Sequence, residues 1–271
     1  MGKTVNVKGV KFGGKNPLAM IAGPCVIESR EGCMAIADKL VKLSKKKNIP
    51  FVFKASYDKA NRTSINSYRG PGIEKGLEIL AEIKEKYNVP VLTDVHSVEE
   101  VKIAAQVVDI IQLPAFMIRQ TDFVVAAGES GAVVNVKKAQ FAAPWDMANV
   151  VKKIESTGNT KILLTERGAS FGYNTLVADM RSLIIMGEMG YPVIFDATHS
   201  VQSPGGQGDT SGGDGRFAPY LAKAAAAVGV DGMFIETHPN PAEALSDGPN
   251  MIPLKQLPKL WTKLDAIDQI K

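Results

Sequence analysis

The feature that most constrains the fold of this chain is a regular alternation of short apolar runs with longer amphipathic stretches. Eight runs of strand length carry the pattern: LAMIAGPCV, FVFKASY, PVLTDVH, DIIQLPAF, AVVNVKK, KILLTERG, PVIFDATHS and GMFIETHP. The stretches between them, such as REGCMAIADKLVKLSKKK and FAPYLAKAAAAVG, space their apolar residues as helices do. Strands that alternate with helices predict βαβ units and a parallel sheet.

Eight strands and eight helices are the count of a (β/α)8 barrel, the TIM barrel, and 271 residues is about the length of one such barrel. We therefore predict a single α/β domain over residues 1–271. An open, doubly wound sheet is the alternative, because periodicity does not show whether a sheet closes. Before the first strand, TVNVKGVKFGG alternates apolar and polar residues around Lys8-Gly9. This predicts a short N-terminal β-hairpin within residues 1–17, placed across the N-terminal face of the barrel.

Composition and charge exclude several classes of protein. The chain is 45% hydrophobic and 22% charged, as ordinary globular proteins are. It has no run of about 18 apolar residues, and the segment MGKTVNVKGVKFGGK lacks the apolar core of a signal peptide. We therefore expect a cytoplasmic protein without membrane contact. A net charge of +4 is too small and scattered to predict nucleic-acid binding, and it suits small anionic substrates.

Polar side chains are concentrated at the carboxyl ends of the predicted strands. They are Cys25, Lys54, Lys59, Asp94, His96, Gln112, Lys137, Lys138, Glu166, Arg167, Asp196, His199, Glu236 and His238. In a barrel of this kind these ends surround one mouth, where active sites are built. A buried polar group without a partner costs roughly a few kcal/mol, so we expect these residues to point into a functional site.

Four residues carry the ligand atoms of a divalent-metal site: Cys25, His199, Glu236 and, after the last strand, Asp247. Thiolate, imidazole and carboxylate ligands suit zinc, iron(II), cobalt or manganese, and the soft sulfur favours the first three. The four are scattered along the chain, and His96 or His238 competes with His199 as the ligand. A lone cysteine is also more often a packed apolar side chain, so the residues alone leave both interpretations open.

Cations form a second set: Lys54, Lys59, Arg62, Arg69, Arg119, Lys137, Lys138 and Arg167. Several cations around one cavity repel each other unless an anion lies between them, and arginine matches phosphate or carboxylate geometrically. We therefore expect phosphate binding, with a Schiff-base lysine at Lys54, Lys137 or Lys138 as the alternative. The glycine-rich stretch GQGDTSGGDG lacks a nucleotide-binding motif and is predicted to be a mobile lid.

Several motifs together resemble one enzyme family. They are KANRTS, QLPAF, RQTD, NVKK, LTERG, DATHSVQ, ETHPNP and ALSDGPN, and they extend over nearly the whole chain. On these residues the sequence is similar to the 3-deoxy-D-manno-octulosonate 8-phosphate synthases. The resemblance implies a transferase of lipopolysaccharide synthesis that condenses phosphoenolpyruvate with D-arabinose 5-phosphate and water and releases phosphate.

The resemblance also implies roles for individual residues in holding phosphoenolpyruvate. Lys137 and Arg167 are expected to bind its phosphate, and Lys54 and Lys59 are expected near its carboxylate and the reacting carbons. Lys59 is therefore a candidate catalytic residue. The heptulosonate synthases, which use a four-carbon sugar, resemble this family and are the enzyme-class alternative. A phosphosugar-binding barrel without catalysis is the alternative from another class.

The acceptor sugar is expected at the loop after the second strand. The resemblance implies that Asn61, Arg62 and Thr63 bind it, and that Arg119 reaches its phosphate across a subunit boundary. Such a shared site implies an oligomer, in this family usually a homotetramer. The loop here reads KANRTS, whereas the heptulosonate enzymes typically carry KPRTS, which favours the five-carbon acceptor.

The family has a metal-dependent and a metal-independent branch. Members of the first branch have cysteine at the position of Cys25, and members of the second have asparagine there. Ser246 stands where the second branch commonly has a further cysteine. The resemblance therefore implies one divalent metal ion, with Cys25, His199 and Asp247 acting in catalysis as its ligands beside Glu236.

Overall fold

The computed structural model describes residues 2–206 and 212–270. Its strands, in chain order, are β1 (Val5–Val7), β2 (Val10–Phe12), β3 (Ala19–Gly23), β4 (Phe51–Lys54), β5 (Val91–Asp94), β6 (Ile110–Leu113), β7 (Val133–Lys137), β8 (Ile162–Glu166), β9 (Ala169–Ser170), β10 (Leu176–Val177), β11 (Val193–Asp196), β12 (Gln202–Ser203), β13 (Gly212–Gly213), β14 (Gly232–His238) and β15 (Ile252–Pro253). Its α-helices are α1 (Arg30–Lys47), α2 (Ile73–Tyr87), α3 (Val98–Ala104), α4 (Thr121–Glu129), α5 (Met147–Glu155), α6 (Arg181–Gly187), α7 (Ala218–Val228) and α8 (Leu257–Asp268).

Strands β3 to β8, β11 and β14 form a closed parallel barrel. Each pairs in parallel with the next in this order, and β14 also pairs with β3. The ring closes because Phe234 of β14 is in register with Ile21 on one side and with Asp196 of β11 on the other. The predicted (β/α)8 barrel is therefore confirmed, and the open sheet is excluded.

The barrel separates two apolar cores. Successive side chains on a strand point to opposite faces, so each strand contributes to both. The larger core lies between the strands and the surrounding helices and includes Met20, Phe53 and Trp261. The smaller core fills the barrel itself. Its strand residues are Ala19, Ile21, Val52, Leu92, Ile110, Val133, Leu163, Ile194 and Phe234.

The N-terminal hairpin closes the barrel from below. Strands β1 and β2 pair antiparallel, and Lys8 and Gly9 between them have φ values of 46° and 92°. A two-residue turn with both φ values positive matches the twist of a hairpin, and glycine adopts it without strain. The apolar side chains of the hairpin, including fully buried Phe12, belong to the core inside the barrel. The predicted hairpin is confirmed.

The helices cover the outside of the barrel. Helix α1 has the predicted bounds because its ends are capped: the Ser29 side chain accepts a hydrogen bond from Gly32 N, and Asn48 adopts the left-handed conformation that ends the helix. Helix α8 begins at Leu257, directly after a 3-10 turn at Leu254–Gln256. Within the described residues, no helix combines the length and the hydropathy needed to cross a membrane.

Candidate active site

A cavity opens at the carboxyl ends of the barrel strands, where polar residues line it. Its lining residues are Lys59, Asn61, Arg62, Thr63, Asp94, Gln112, Pro114, Ala115, Phe116, Lys137, Gln140, Arg167, Asp196, His199, Gln202, Pro204, Gly205, Glu236 and Asp247. Four cations and four carboxylates are therefore exposed to one small space. The strand ends meet there as the sequence predicted.

The direction of each polar side chain follows from the alternation along its strand. On β7, Val133 belongs to the core inside the barrel, so Asn135 and Lys137, two and four residues further on, also point inward. Lys138 follows directly and points outward, where its Nζ lies 3.6 Å from Glu166 Oε1. Lys138 and Glu166 do not line the cavity, so their predicted place in the mouth is wrong.

Two of the three histidines also lie away from the cavity lining. His96 Nε2 is 3.4 Å from Asp94 Oδ2, and its Nδ1 is 3.1 Å from Glu100 Oε2. Burial lowers the pKa of His96, but these two carboxylates raise it to about 9. His238 bonds to its own loop at Asn240 O. Neither histidine belongs to the group of Cys25, Glu236 and Asp247 that could hold a metal ion, here called the candidate metal group. His199 is therefore the histidine that lies beside this group.

Lys54 lies beneath the cavity and not on its wall. The side chain is fully buried, and its Nζ donates hydrogen bonds to Cys25 O and to Glu236 Oε1. Lys59 lies above it on the cavity wall, with Nζ 3.8 Å from Glu236 Oε1 and 3.9 Å from Asp94 Oδ2. Burial alone would raise the pKa of Glu236, but Lys54, His199 and Lys59 lower it to about 2, so this carboxylate is ionised.

Cys25, Glu236 and Asp247 bring one potential metal-ligand atom each to within 4.8 Å of one another. Cys25 Sγ lies 3.2 Å from Asp247 Oδ2 and from Ser246 Oγ. Glu236 Oε2 is buried without a hydrogen-bond partner in the described structure. An ionised carboxylate oxygen left bare beside a thiol and a second carboxylate fits a divalent cation, because a buried charge otherwise needs a partner.

Burial and the nearby carboxylate of Glu236 raise the pKa of the Cys25 thiol well above its usual value. The thiol is therefore protonated in the described structure. A metal ligand must be the thiolate, so metal binding at Cys25 would displace a proton.

His199 is held in the orientation that a metal-binding histidine needs. Its Nδ1 lies 2.7 Å from Asp196 Oδ2, and its backbone N donates to Asp196 Oδ1. Burial raises the pKa of Asp196, but His199 and Lys137 lower it below its usual range, so the carboxylate accepts the Nδ1 proton. In the neutral ring Nε2 then carries the lone pair, and it faces Glu236 Oε2 at 3.6 Å. Carboxylate support of this kind is common behind metal-binding histidines.

Lys137 and Arg167 are two further cations that line the cavity. Lys137 Nζ pairs with Asp196 and lies 3.3 Å from the centroid of the Phe234 ring. Burial lowers the pKa of Lys137 to about 8, although Asp196 opposes the shift. Arg167 is 5% exposed, its Nη2 donates to Gln202 Oε1, and its Nη1 has no partner among the described residues. A buried guanidinium with a free fork suits a phosphate or carboxylate.

The loop after β4 brings polar side chains over the cavity. Lys59 N donates to Arg69 O across the base of the loop. Asn61, Arg62 and Thr63 line the cavity, and Arg62 donates from Nη1 to Ser246 Oγ. Arg69 instead pairs with Asp58 on the surface, outside the cavity lining.

Other predicted features lie elsewhere, and Gln202 was not predicted as a site residue. Arg119 is exposed and does not line this cavity. Of the predicted lid, residues 207–211 lie outside the described residues. Gln202 lines the cavity and links Arg167 to Asp247. It ends the motif DATHSVQ, but the sequence assigned it no role, because a single glutamine after a strand carries no spacing signal.

A closed (β/α)8 barrel with a cavity lined by cations, carboxylates and an imidazole at the strand ends is typical of barrel enzymes. The model of the DAHP synthetase I family matches residues 3–270. Relatives named 2-dehydro-3-deoxyphosphooctonate aldolase come from Geotalea uraniireducens, 58% identical, and from Geobacter metallireducens and Geobacter sulfurreducens, each 57% identical; each match covers 100% of this chain and 99% of the relative. The chain belongs to this family of 3-deoxy-D-manno-octulosonate 8-phosphate synthases, and the resemblance in its motifs is confirmed.

Proposed function

We propose that this chain condenses phosphoenolpyruvate with D-arabinose 5-phosphate and water to give 3-deoxy-D-manno-octulosonate 8-phosphate and phosphate. C3 of phosphoenolpyruvate forms a bond to the aldehyde carbon, and the aldehyde oxygen takes up a proton. The oxygen of water adds to C2, the bond from C2 to the phosphate oxygen breaks, and C2 becomes the keto carbon of the product. The two protons of that water balance the proton taken up by the aldehyde oxygen and the proton carried by the released hydrogen phosphate. The name shared by the full-length relatives supports this acceptor over the four-carbon sugar of the heptulosonate synthases.

The observation that carries the proposal is the environment of Arg167. A guanidinium that is 5% exposed keeps one Nη1 without a partner in the described part of the chain, at a cavity wall that also holds Lys137. Leaving a buried charged donor unpaired is costly, so the geometry supports an anion as its missing partner. A phosphate group of phosphoenolpyruvate supplies two or more oxygens for this fork.

We assign the donor substrate to the wall formed by Lys137 and Arg167. Both cations would bind its phosphate, and Lys59, between Asp94 and Glu236, would lie near the carboxylate and the reacting carbons. Burial lowers the pKa of Lys59, but the nearby carboxylates of Asp94 and Glu236 raise it by more, so the net shift is upward and the ammonium stays charged. The buried position of Lys54 supports a different role from the one that the resemblance implies: it neutralises Glu236 and does not touch substrate.

We assign the acceptor sugar to Asn61, Arg62 and Thr63 at the mouth. Like Lys59, these side chains follow β4, which is four strands from β8 in the eight-stranded barrel, so the aldehyde would lie between this loop and the proposed phosphate site. Fixing the two reacting carbons at close range removes much of the entropic barrier, on the order of 7 kcal/mol in favourable cases. Positioning by these side chains therefore accounts for a large part of the proposed rate.

Cys25, His199, Glu236 and Asp247 would hold one divalent metal ion, which supports membership in the metal-dependent branch. When bound, the ion would polarise the aldehyde or acidify the attacking water. The donor set suits zinc, iron(II), cobalt or manganese. Asp196 would fix the His199 ring, and Lys54 would offset the charge of Glu236 when the ion is absent.

A two-substrate assay tests the reaction. Phosphate release is measured with phosphoenolpyruvate and either arabinose 5-phosphate or erythrose 4-phosphate, and with each substrate alone. We expect release only with phosphoenolpyruvate and arabinose 5-phosphate together. A preference for erythrose 4-phosphate would overturn the choice of acceptor, and tight binding without turnover would indicate a binding barrel.

Metal removal tests the cofactor. We expect a chelator to abolish activity and one equivalent of divalent metal to restore it, with the metal content measured by elemental analysis. Full activity in a preparation shown to be metal-free would contradict the metal-dependent assignment.

We further propose that residues 1–271 act as a single barrel domain, in the cytoplasm, as a homotetramer, without nucleic acid or membrane. Five exposed aromatic side chains lie in the loops after the neighbouring strands β6, β7 and β8: Phe116, Phe141, Trp145, Phe171 and Tyr173. A patch of this kind supports an interface between protein chains. Arg119 lies in the same region, which supports a contribution to the site of a neighbouring subunit.

A further inference from the structure

Gln202 connects the proposed phosphate site to the candidate metal group through two hydrogen bonds. Its Oε1 accepts from Arg167 Nη2 at 2.7 Å, and its Nε2 donates to Asp247 Oδ1 at 3.3 Å. The oxygen of this amide therefore bonds to the proposed phosphate site, and its nitrogen bonds to the candidate metal group. An amide can make these two bonds in only one orientation, because its oxygen only accepts and its nitrogen only donates.

The bond to Asp247 sets the direction of its other oxygen. While Oδ1 accepts from Gln202, Oδ2 lies 3.2 Å from Cys25 Sγ and 3.5 Å from Arg62 Nη2. Asp247 has a φ of 51°, in the left-handed region that a residue with a side chain seldom adopts. Gln202 provides the hydrogen bond on the Oδ1 side of this carboxylate.

The bond to Arg167 leaves that guanidinium half satisfied. Nη2 is used by Gln202, whereas Nη1 is buried without a partner in the described structure. An anion at Nη1 would hold the guanidinium fixed, and the guanidinium would in turn hold the Gln202 amide. Arg167 at the proposed phosphate site and Asp247 in the candidate metal group are thus connected through hydrogen bonds to the one amide of Gln202.

We propose that Gln202 is a positioning residue that couples anion binding at Arg167 to metal affinity at Asp247. An anion on Arg167 fixes the amide, the amide fixes the Asp247 carboxylate, and the metal group is preorganised. By linkage the metal strengthens anion binding by the same factor. This inference rests on the site assignments of the proposed function, but its test does not depend on turnover.

The test measures the dissociation constant of Co²⁺ for the full-length, metal-stripped protein by titration calorimetry, with and without inorganic phosphate. The thiolate absorption band of bound Co²⁺ reports that Cys25 is a ligand in each titration. Gln202→Met keeps the length of the side chain and removes both hydrogen bonds. Gln140→Met is the matched control, because Gln140 lines the same cavity but makes no bond to Arg167 or Asp247 in the described residues.

We expect phosphate to strengthen Co²⁺ binding about fivefold or more in the native protein, the usual range of coupling between sites. The coupling ratio is the Co²⁺ dissociation constant without phosphate divided by the constant with phosphate. Direct attraction between Co²⁺ and phosphate persists in every variant, so the difference between the coupling ratios of native protein and variant measures the coupling that depends on Gln202. The ratio should fall about threefold or more in Gln202→Met and stay unchanged in Gln140→Met.

Gln202→Glu provides a second check if Gln202→Met folds poorly. Its carboxylate still accepts from Arg167 but cannot donate to Asp247, so the ratio should fall here too. An equal phosphate effect in native protein and Gln202 variants would overturn the proposal, and so would no phosphate effect in native protein. A failed reaction with arabinose 5-phosphate would contradict the proposed function alone, because the coupling is measured by binding.

Discussion

Cys25 is the residue on which the metal proposal depends most directly. Because its thiol is protonated in the absence of metal, binding should release a proton that asparagine cannot supply. We expect Cys25→Asn to weaken Co²⁺ binding by at least about tenfold and to remove the thiolate absorption band. The number of protons released for each Co²⁺ bound should fall by about one. Titration calorimetry in buffers of different ionisation enthalpy measures the proton release. Some activity should remain, because the resemblance implies a metal-independent branch with asparagine at this position.

Cys33 offers a matched control for this variant. It is also buried and free, but it lies on α1 outside the metal group. Cys33→Ala should therefore bind Co²⁺ with native affinity and keep the thiolate band. Native metal affinity in Cys25→Asn would show that the ligand assignment is wrong.

Lys137 should give the reaction a pH limit on the alkaline side. Burial lowers its pKa to about 8, and only the protonated form attracts phosphate. As pH rises through about 8 the free enzyme loses this charge, so kcat/KM for phosphoenolpyruvate should fall. Bound phosphate stabilises the ammonium, so kcat should stay level to higher pH. The control is Lys137→Arg, whose guanidinium does not titrate there; the same fall in that variant would assign the limit to another group.

At the scale of the elements, the apolar runs predicted the strands well but left some side-chain directions open. Parallel strands in a barrel are buried on both faces, so their sequences read as continuous apolar runs without an alternation that marks the inside. For this reason the sequence could not separate Lys137, which points inward, from Lys138, which points outward. The same ambiguity applies to Glu166 and Arg167.

Asn135 is a polar residue within the apolar run of β7, and this pattern could have predicted its inward hydrogen bond to Gln112 Oε1 on β6.

Contacts between segments that are far apart in sequence could not be predicted, for a different reason. Gln202 and Ser246 come close to their partners only when segments distant in sequence fold together. The residues next to them in sequence therefore do not predict which side chains they contact. The contact of Cys25 with Asp247 could not be predicted from spacing for the same reason, because the two residues are 222 positions apart along the chain.

The N-terminal hairpin contributes stability to the barrel at the end opposite the cavity. Phe12 is fully buried inside the barrel, and a Cβ at Gly232 would lie 3.1 Å from its ring, so the packing there is tight. We expect Phe12→Ala to lower the free energy of unfolding by about 3–5 kcal/mol. Denaturant titration measures this loss. The values of kcat and KM should stay close to those of the native protein at 25 °C, because no hairpin residue is among those that line the described cavity.

Phe217 is the comparison for the hairpin variant because it is 55% exposed. Phe217→Ala should change the free energy of unfolding by less than about 1 kcal/mol. Equal losses in both variants would mean that Phe12 contributes no more than a surface phenylalanine.

At the scale of the whole molecule, the described cavity lacks one predicted contact. Arg119 is exposed away from the cavity of its own chain, yet it lies close in sequence to Phe116, which lines the cavity and is 54% exposed. An exposed cation beside a rim of exposed aromatic side chains is suited to an interface with a second copy. Such an interface would place Arg119 at the mouth of the neighbouring cavity, where the phosphate of the acceptor sugar is proposed.

Mixed oligomers test this arrangement. Arg119→Ala and Lys137→Ala should each be nearly inactive alone, the first through weakened acceptor binding and the second through weakened phosphoenolpyruvate binding. If Arg119 acts across the interface, oligomers reassembled from equal amounts of the two variants regain native sites wherever an Arg119→Ala chain borders a Lys137→Ala chain. About a quarter of the sites should then be native, measured as phosphate release per subunit. If Arg119 acted within its own chain, no mixed site would contain both residues, and mixing would restore nothing.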